Sequence, residues 1–92
     1  LPPYAPVGSL SLVYNRQDVR HPLDGFGMLI PASETGRFLL GVIFTSSIFP
    51  QRVEANEVMV TALFGGARHQ ERVGLDDGEI IRNTNLDLAD LL

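Results

Sequence analysis

The spacing of apolar residues changes once along this chain of 92 residues, near Asp76, and the change decides its fold class. Upstream, apolar side chains recur at every second position in short runs, the period of half-buried strands. Leu10, Leu12 and Tyr14 alternate with Ser9, Ser11 and Val13, which predicts a strand over residues 7–15. Residues 25–30 predict a second, with Phe26, Met28 and Ile30 on one face and Gly27 and Leu29 on the other. Residues 37–45 are apolar on both faces, as a central strand is. Residues 57–64 predict a fourth, with Val58, Val60 and Ala62 opposing Met59, Thr61 and Leu63. Downstream, Ile81, Leu88 and Leu92, helped by Ile80, Thr84 and Leu91, fall on a helical stripe. Asp76 followed three residues later by Glu79 is a helix start signal. Asn83, Thr84 and Asn85 are weak helix formers, yet one helix is preferred over two. The expected fold is α+β: a mostly antiparallel four-stranded sheet followed by a C-terminal helix, with one sheet face needing cover.

The connections carry turn chemistry. Residues 1–6 are proline-rich and extended, residues 31–36 should reverse the chain, and Gly65-Gly66 should end the fourth strand. Residues 46–56 predict a long connection through Phe49-Pro50. A single domain of this size buries only about 60–65% of its unfolded surface. With no cysteine it has no disulfide or thiolate site to compensate. Both ends look cut, which leads us to expect a segment of a longer protein. The net charge of −4 and a basic complement of seven scattered arginines argue against nucleic-acid partners and against a polybasic membrane tract. The longest apolar run, residues 38–44, is far too short to span a bilayer.

Reactive side chains are scarce. His21 and His69 are far apart with no cysteine beside them, which excludes a zinc site of ordinary spacing. Asp76-Asp77-Gly78-Glu79 lacks the alternating oxygens of a calcium loop and suits a helix cap better. No serine sits in a nucleophile elbow. Gly25-Phe26-Gly27 opens a strand, whereas a dinucleotide fingerprint opens a helix, and Gly65-Gly66 is followed by no phosphate-loop lysine. What remains is an apolar sheet face. Phe26, Leu29, Ile43, Phe44, Leu63 and Phe64 cluster near strand ends, either as ordinary core or as the wall of an apolar ligand pocket.

Three blocks separate those readings: GFGMLIPASE, then FLLGVIFTSSIFPQR, then VTALFGG. In this order they resemble the FAD-dependent protoporphyrinogen oxidases, a family within the flavin-containing amine oxidase group. YAPVGSLSLVYN is similar to the strand entering this region, and DDGEIIRNTNLDLADLL to the helix that follows it, so the resemblance covers essentially the whole chain. It implies an internal part of the substrate-binding domain, lying over the flavin. The family oxidises a porphyrinogen to a porphyrin late in heme synthesis, passing electrons through FAD to oxygen. Carried over by motif, Phe26, Gly27, Leu29, Ile43 and Leu63 are the expected substrate-binding residues. Arg37 and Arg52 are available for the propionates, but neither is assigned.

The family's glycine-rich FAD fingerprint and its second flavin-contacting segment are absent. The resemblance therefore implies FAD in the parent enzyme, and neither cofactor nor catalysis in this chain alone. It further implies partnership with the remainder of the parent chain. The parent is expected to be cytoplasmic or peripheral on the cytoplasmic membrane. An isolated copy is expected to form a homodimer through its apolar sheet face. Two other readings stay open: a flavin amine oxidase-type enzyme with another substrate, and a stand-alone binding or oligomerisation module.

Overall fold

A computed structural model describes residues 7–31, 36–66 and 69–92. The proline-rich lead-in and most of the expected turn at residues 31–36 lie outside the described residues. The described residues form four strands: β1 (Val7–Asn15), β2 (Gly27–Leu29), β3 (Leu39–Ile43) and β4 (Glu57–Gly65). A one-turn helix, α1 (Thr45–Ile48), follows β3, and α2 (Asp77–Leu91) closes the chain. Among the described connections are three 3₁₀ turns, Arg16–Asp18, Pro50–Arg52 and Gln70–Gly74. The sheet order is β1-β4-β3-β2 with every pairing antiparallel, so the expected α+β class and the interior place of β3 are both found.

Alternation gives the sheet two faces. Leu10, Leu12 and Tyr14 stand opposite Ala62, Val60 and Val58 in the β1–β4 register. Val42 stands beside Ala62, and Met28 beside Val42. This inner face, with Phe38, Leu39, Phe44 and Phe64, packs on Leu88 of α2. The Phe38 and Phe64 rings stack at 5.4 Å. Each such buried side chain contributes roughly 1.5–3 kcal/mol. Phe44 and Phe64 are thus core residues, which divides the apolar cluster read from the sequence.

The helix starts as expected: the Asp76 carboxylate accepts from the Glu79 N–H at 2.9 Å, and α2 then runs unbroken through Asn83-Thr84-Asn85. Its buried stripe is the expected one except at Ile81. Ile80, Thr84, Leu88, Leu91 and Leu92 are packed, whereas Ile81 is 44% exposed because it lies about 100° around the helix from Ile80. Thr84 is completely buried, and its Oγ1 has no hydrogen-bond partner among the described residues. An unsatisfied buried hydroxyl costs free energy that an isosteric methyl does not. Thr84→Val is therefore expected to stabilise the protein by about 1 kcal/mol, read as a higher urea midpoint at unchanged slope.

Two expected strands are shorter than their apolar runs. Residues 37 and 38 leave the strand because side chains outside the sheet hold their backbone. Asp87 Oδ2 accepts from the N–H groups of Phe38 and Leu39 at 2.8 and 3.0 Å. Arg72 donates to the carbonyls of Arg37 and Phe38 at 3.0 and 2.8 Å, with its guanidinium over the Phe38 ring. Thr45 turns into α1, because Phe49 N–H bonds back to its carbonyl at 2.8 Å. The expected long connection at residues 46–56 is in fact built from α1 and the Pro50–Arg52 turn.

The entry to β2 is strained. Leu23 is buried at φ 56, in the left-handed region that costs a branched residue about 1–2 kcal/mol. Its N–H donates to His21 Nδ1 at 2.9 Å, and its carbonyl accepts from Ser47 Oγ at 2.6 Å. The His21 ring lies 5.1 Å from that of Phe44.

Candidate functional site

The outer face of the sheet meets α1 only where Thr45 reaches Thr61, and its strand register lines up two rows. Ser9, Leu63, Gly41 and Leu29 form one; Ser11, Thr61, Ile43 and Gly27 form the other. Where Leu63, Ile43 and Leu29 rise around the two glycines, the surface sinks into a cavity of about 270 Å³. Phe26, Gly27, Leu29, Ile43 and Leu63 all line it, together with Met28, Gly41 and Val42. All five residues singled out from the sequence meet at one place.

Phe26 reaches it by a route that strand alternation does not predict. It was expected on the face of Met28 and Ile30, but the residue is 78% exposed and lines the cavity on the outer side. Gly25 at φ 86 and Gly27 at φ 157 twist the backbone on either side of it, so the period of two starts only after Gly27. The Phe26 carbonyl still accepts from Phe44 N–H at 2.9 Å, which ties this segment to the end of β3. Leu29, at 87% exposed, shows how little of this face the chain itself covers. Gly27 has a structural reason as well: a Cβ there would lie 2.2 Å from the Val42 carbonyl oxygen.

Met28, Gly41 and Val42 were missed. A glycine inside an apolar strand signals a bulge or close approach, and at Gly41 both hold: the ladder to β4 is irregular there, and a Cβ would sit 2.9 Å from the Met28 oxygen.

No lining residue is ionisable, so the cavity suits a flat apolar ligand and offers no acid, base or nucleophile. Beside it runs a short chain of hydroxyls: Thr61 Oγ1 lies 2.6 Å from Thr45 Oγ1 and 3.0 Å from Ser11 Oγ. The two arginines considered for propionates are elsewhere. Arg37 pairs with Asp87 at 3.8 Å and with Asp90, and Arg52 lies over the Phe49 ring at 5.2 Å.

A second, larger hollow of about 750 Å³ lies between the end of β1 and the last turns of α2, lined by Tyr14, His21, Asn85 and Leu88 among others. There Tyr14 Oη donates to Asn85 Oδ1 at 2.8 Å, and partial burial pushes the Tyr14 hydroxyl above its ordinary pKa of 10.0. Among the described residues no group of three potential metal ligands occurs, and no helix is long and apolar enough to cross a membrane.

A helix N-terminus is one place where the pyrophosphate of a flavin dinucleotide can sit. The first turn of α2 is already capped by Asp76 and carries Asp77 and Glu79, which repel it.

No protein-family model matches the sequence. Curated relatives do. The mitochondrial protoporphyrinogen oxidase of Nicotiana tabacum is 34% identical over 91 residues, and protoporphyrinogen oxidase 2 of Arabidopsis thaliana, chloroplastic/mitochondrial, is 35% identical over 91. The chloroplastic enzyme of Nicotiana tabacum is 30% identical over 95 residues. Each comparison covers 97% of this chain, but the chain spans only 17–18% of the relatives' length. By sequence, this chain is similar along nearly all of its own length to a segment of the protoporphyrinogen oxidases.

Proposed function

We propose that this chain forms one wall of the porphyrinogen-binding pocket of an FAD-dependent protoporphyrinogen oxidase, in the pathway to heme. The observation that carries the reading is the convergence of Phe26, Leu29, Ile43 and Leu63 around a glycine floor on the open sheet face. A porphyrinogen is a broad, largely apolar macrocycle. Aromatic and branched side chains contact its face, while glycines let the sheet backbone come close. The role of the wall is to orient the ring, and good orientation can supply several powers of ten in rate. Flavin, which accepts the electrons when bound, is held by the rest of the protein.

In the full-length oxidase, Leu63→Ala and Phe26→Ala are expected to raise KM for protoporphyrinogen by about tenfold each while flavin content stays at the wild-type level, since each removes apolar contact worth on the order of 1–2 kcal/mol. The measurement is steady-state kinetics beside the flavin-to-protein absorbance ratio. Loss of flavin in step with activity would mean that these side chains support the fold, and unchanged KM would sink the pocket. An isolated chain that dimerises through this face and keeps its affinity for a protein partner without flavin would favour a binding module instead.

A further inference from the structure

We infer that Arg72 and Asp87 are positioning residues for the pocket, acting through a bulge in β3; the inference rests on the pocket reading above. With a strict period of two, Leu39, Gly41 and Ile43 would share one face. They do not. Leu39 stands opposite Phe64 of the inner face, whereas Gly41 stands opposite Leu63 of the outer face, so two steps along β3 match one along β4. The inserted residue is Leu40, whose side chain lies against Gly66. The bulge thus changes the phase of the strand. Phe38 and Leu39 stay in the core, while Gly41 and Ile43 reach the cavity.

A bulge leaves backbone groups without ladder partners, and those just before this one are satisfied from outside the sheet. Asp87, from α2, takes the two N–H groups of Phe38 and Leu39. Arg72, from the Gln70–Gly74 turn, gives to the carbonyls of Arg37 and Phe38. Two side chains thereby hold four polar backbone groups on either side of one short stretch. Arg72 also covers the Phe38 ring, and Arg37 reaches Asp87 at 3.8 Å, so the two grips are tied together. Without them, the strand recovers its hydrogen bonds most simply by slipping one residue. A slip of one carries Gly41 and Ile43 away from the outer face. Neither Arg72 nor Asp87 lines the cavity, so both act on the ligand only by setting which β3 residues do.

The test uses the full-length oxidase that carries this chain. Arg72→Met keeps the side-chain stem and removes both donors. It is expected to raise KM for protoporphyrinogen about tenfold, with kcat within twofold and flavin content unchanged. Arg72→Lys restores one donor and is expected to recover about half of that effect on a logarithmic scale. Asp76→Ala loosens the far end of α2 without touching β3, and serves as the matched structural control with unchanged KM. An unchanged KM in Arg72→Met, or an equal rise in Asp76→Ala, would overturn the inference. Should Arg72→Met fail to fold, Arg72→Lys decides: a raised KM supports the inference and a wild-type KM overturns it. Leu63→Ala separates the two levels. If that variant keeps a wild-type KM, the pocket reading itself falls; if it loses affinity while the Arg72 variants do not, only the positioning role falls.

Discussion

Replacing Asp87 with alanine should destabilise the protein by about 3 kcal/mol, the largest loss expected of any single polar side chain here. The carboxylate is buried, and its Oδ2 is the acceptor for both Phe38 and Leu39 N–H groups. Alanine strands both donors in the core beside Leu39 and Phe38, where water cannot replace the lost acceptor. It also takes the Asp87 carboxylate away from Arg37. Asp87→Asn is the informative companion, because its amide oxygen can still receive both donors and only the charge is lost. It should cost about 1 kcal/mol. Urea unfolding of both variants, with amide exchange at Phe38 and Leu39, checks the assignment. If alanine and asparagine prove equally damaging, the charge matters and the two hydrogen bonds do not.

The second large effect is expected at Gly27. A methyl group there would fall 2.2 Å from the Val42 carbonyl oxygen, and that obstacle is backbone in the middle of the sheet. No rotamer change relieves such a contact. β2 has only three residues and lies at the sheet edge, so in Gly27→Ala it should peel away rather than deform β3. The cost is bounded by what β2 contributes, on the order of 2–3 kcal/mol, equivalent to about one buried apolar side chain. The signature is local: the Ile30 and Phe44 amides, which bond to Leu40 and Phe26 carbonyls, should lose protection while β1 and β4 keep theirs. On the proposed pocket reading, porphyrinogen oxidation by the full-length protein should fall by more than tenfold, because Phe26, Leu29 and the floor move together. Wild-type protection at Ile30 and Phe44 would show that the sheet tolerates the methyl.

How much of this was legible follows from the range over which each feature is determined. Strand and helix types depend on local periodicity, and β1, β4 and the Asp76 cap follow their patterns closely. Phe26 did not, because flanking glycines in unusual backbone conformations set its direction and alternation carries no trace of that. Of the helical stripe only Ile81 fell outside, since the exact edge of the buried face is selected by the docked sheet. Asp87 and Arg72 were invisible as a pair, since their backbone partners lie 34–49 residues away in the chain. The pocket residues were found through the three sequence blocks and their order. Gly41, inside one of those blocks, could have been added from its odd place in an apolar strand.

The strand order has a consequence for how the chain is made. β1 emerges from the ribosome before β4, yet β4 is the strand it pairs with, and Ser11 meets Thr61 across 50 residues. The β2–β3 hairpin can close by itself as soon as it is synthesised. Within this sheet β1 must wait for its partner until residues 57–65 have left the exit tunnel. An alternating strand that lacks its partner is of the kind that chaperones bind and that associates with its own copies. Variants that slow translation or β4 pairing should therefore lower soluble yield without altering the stability of the protein once it has folded.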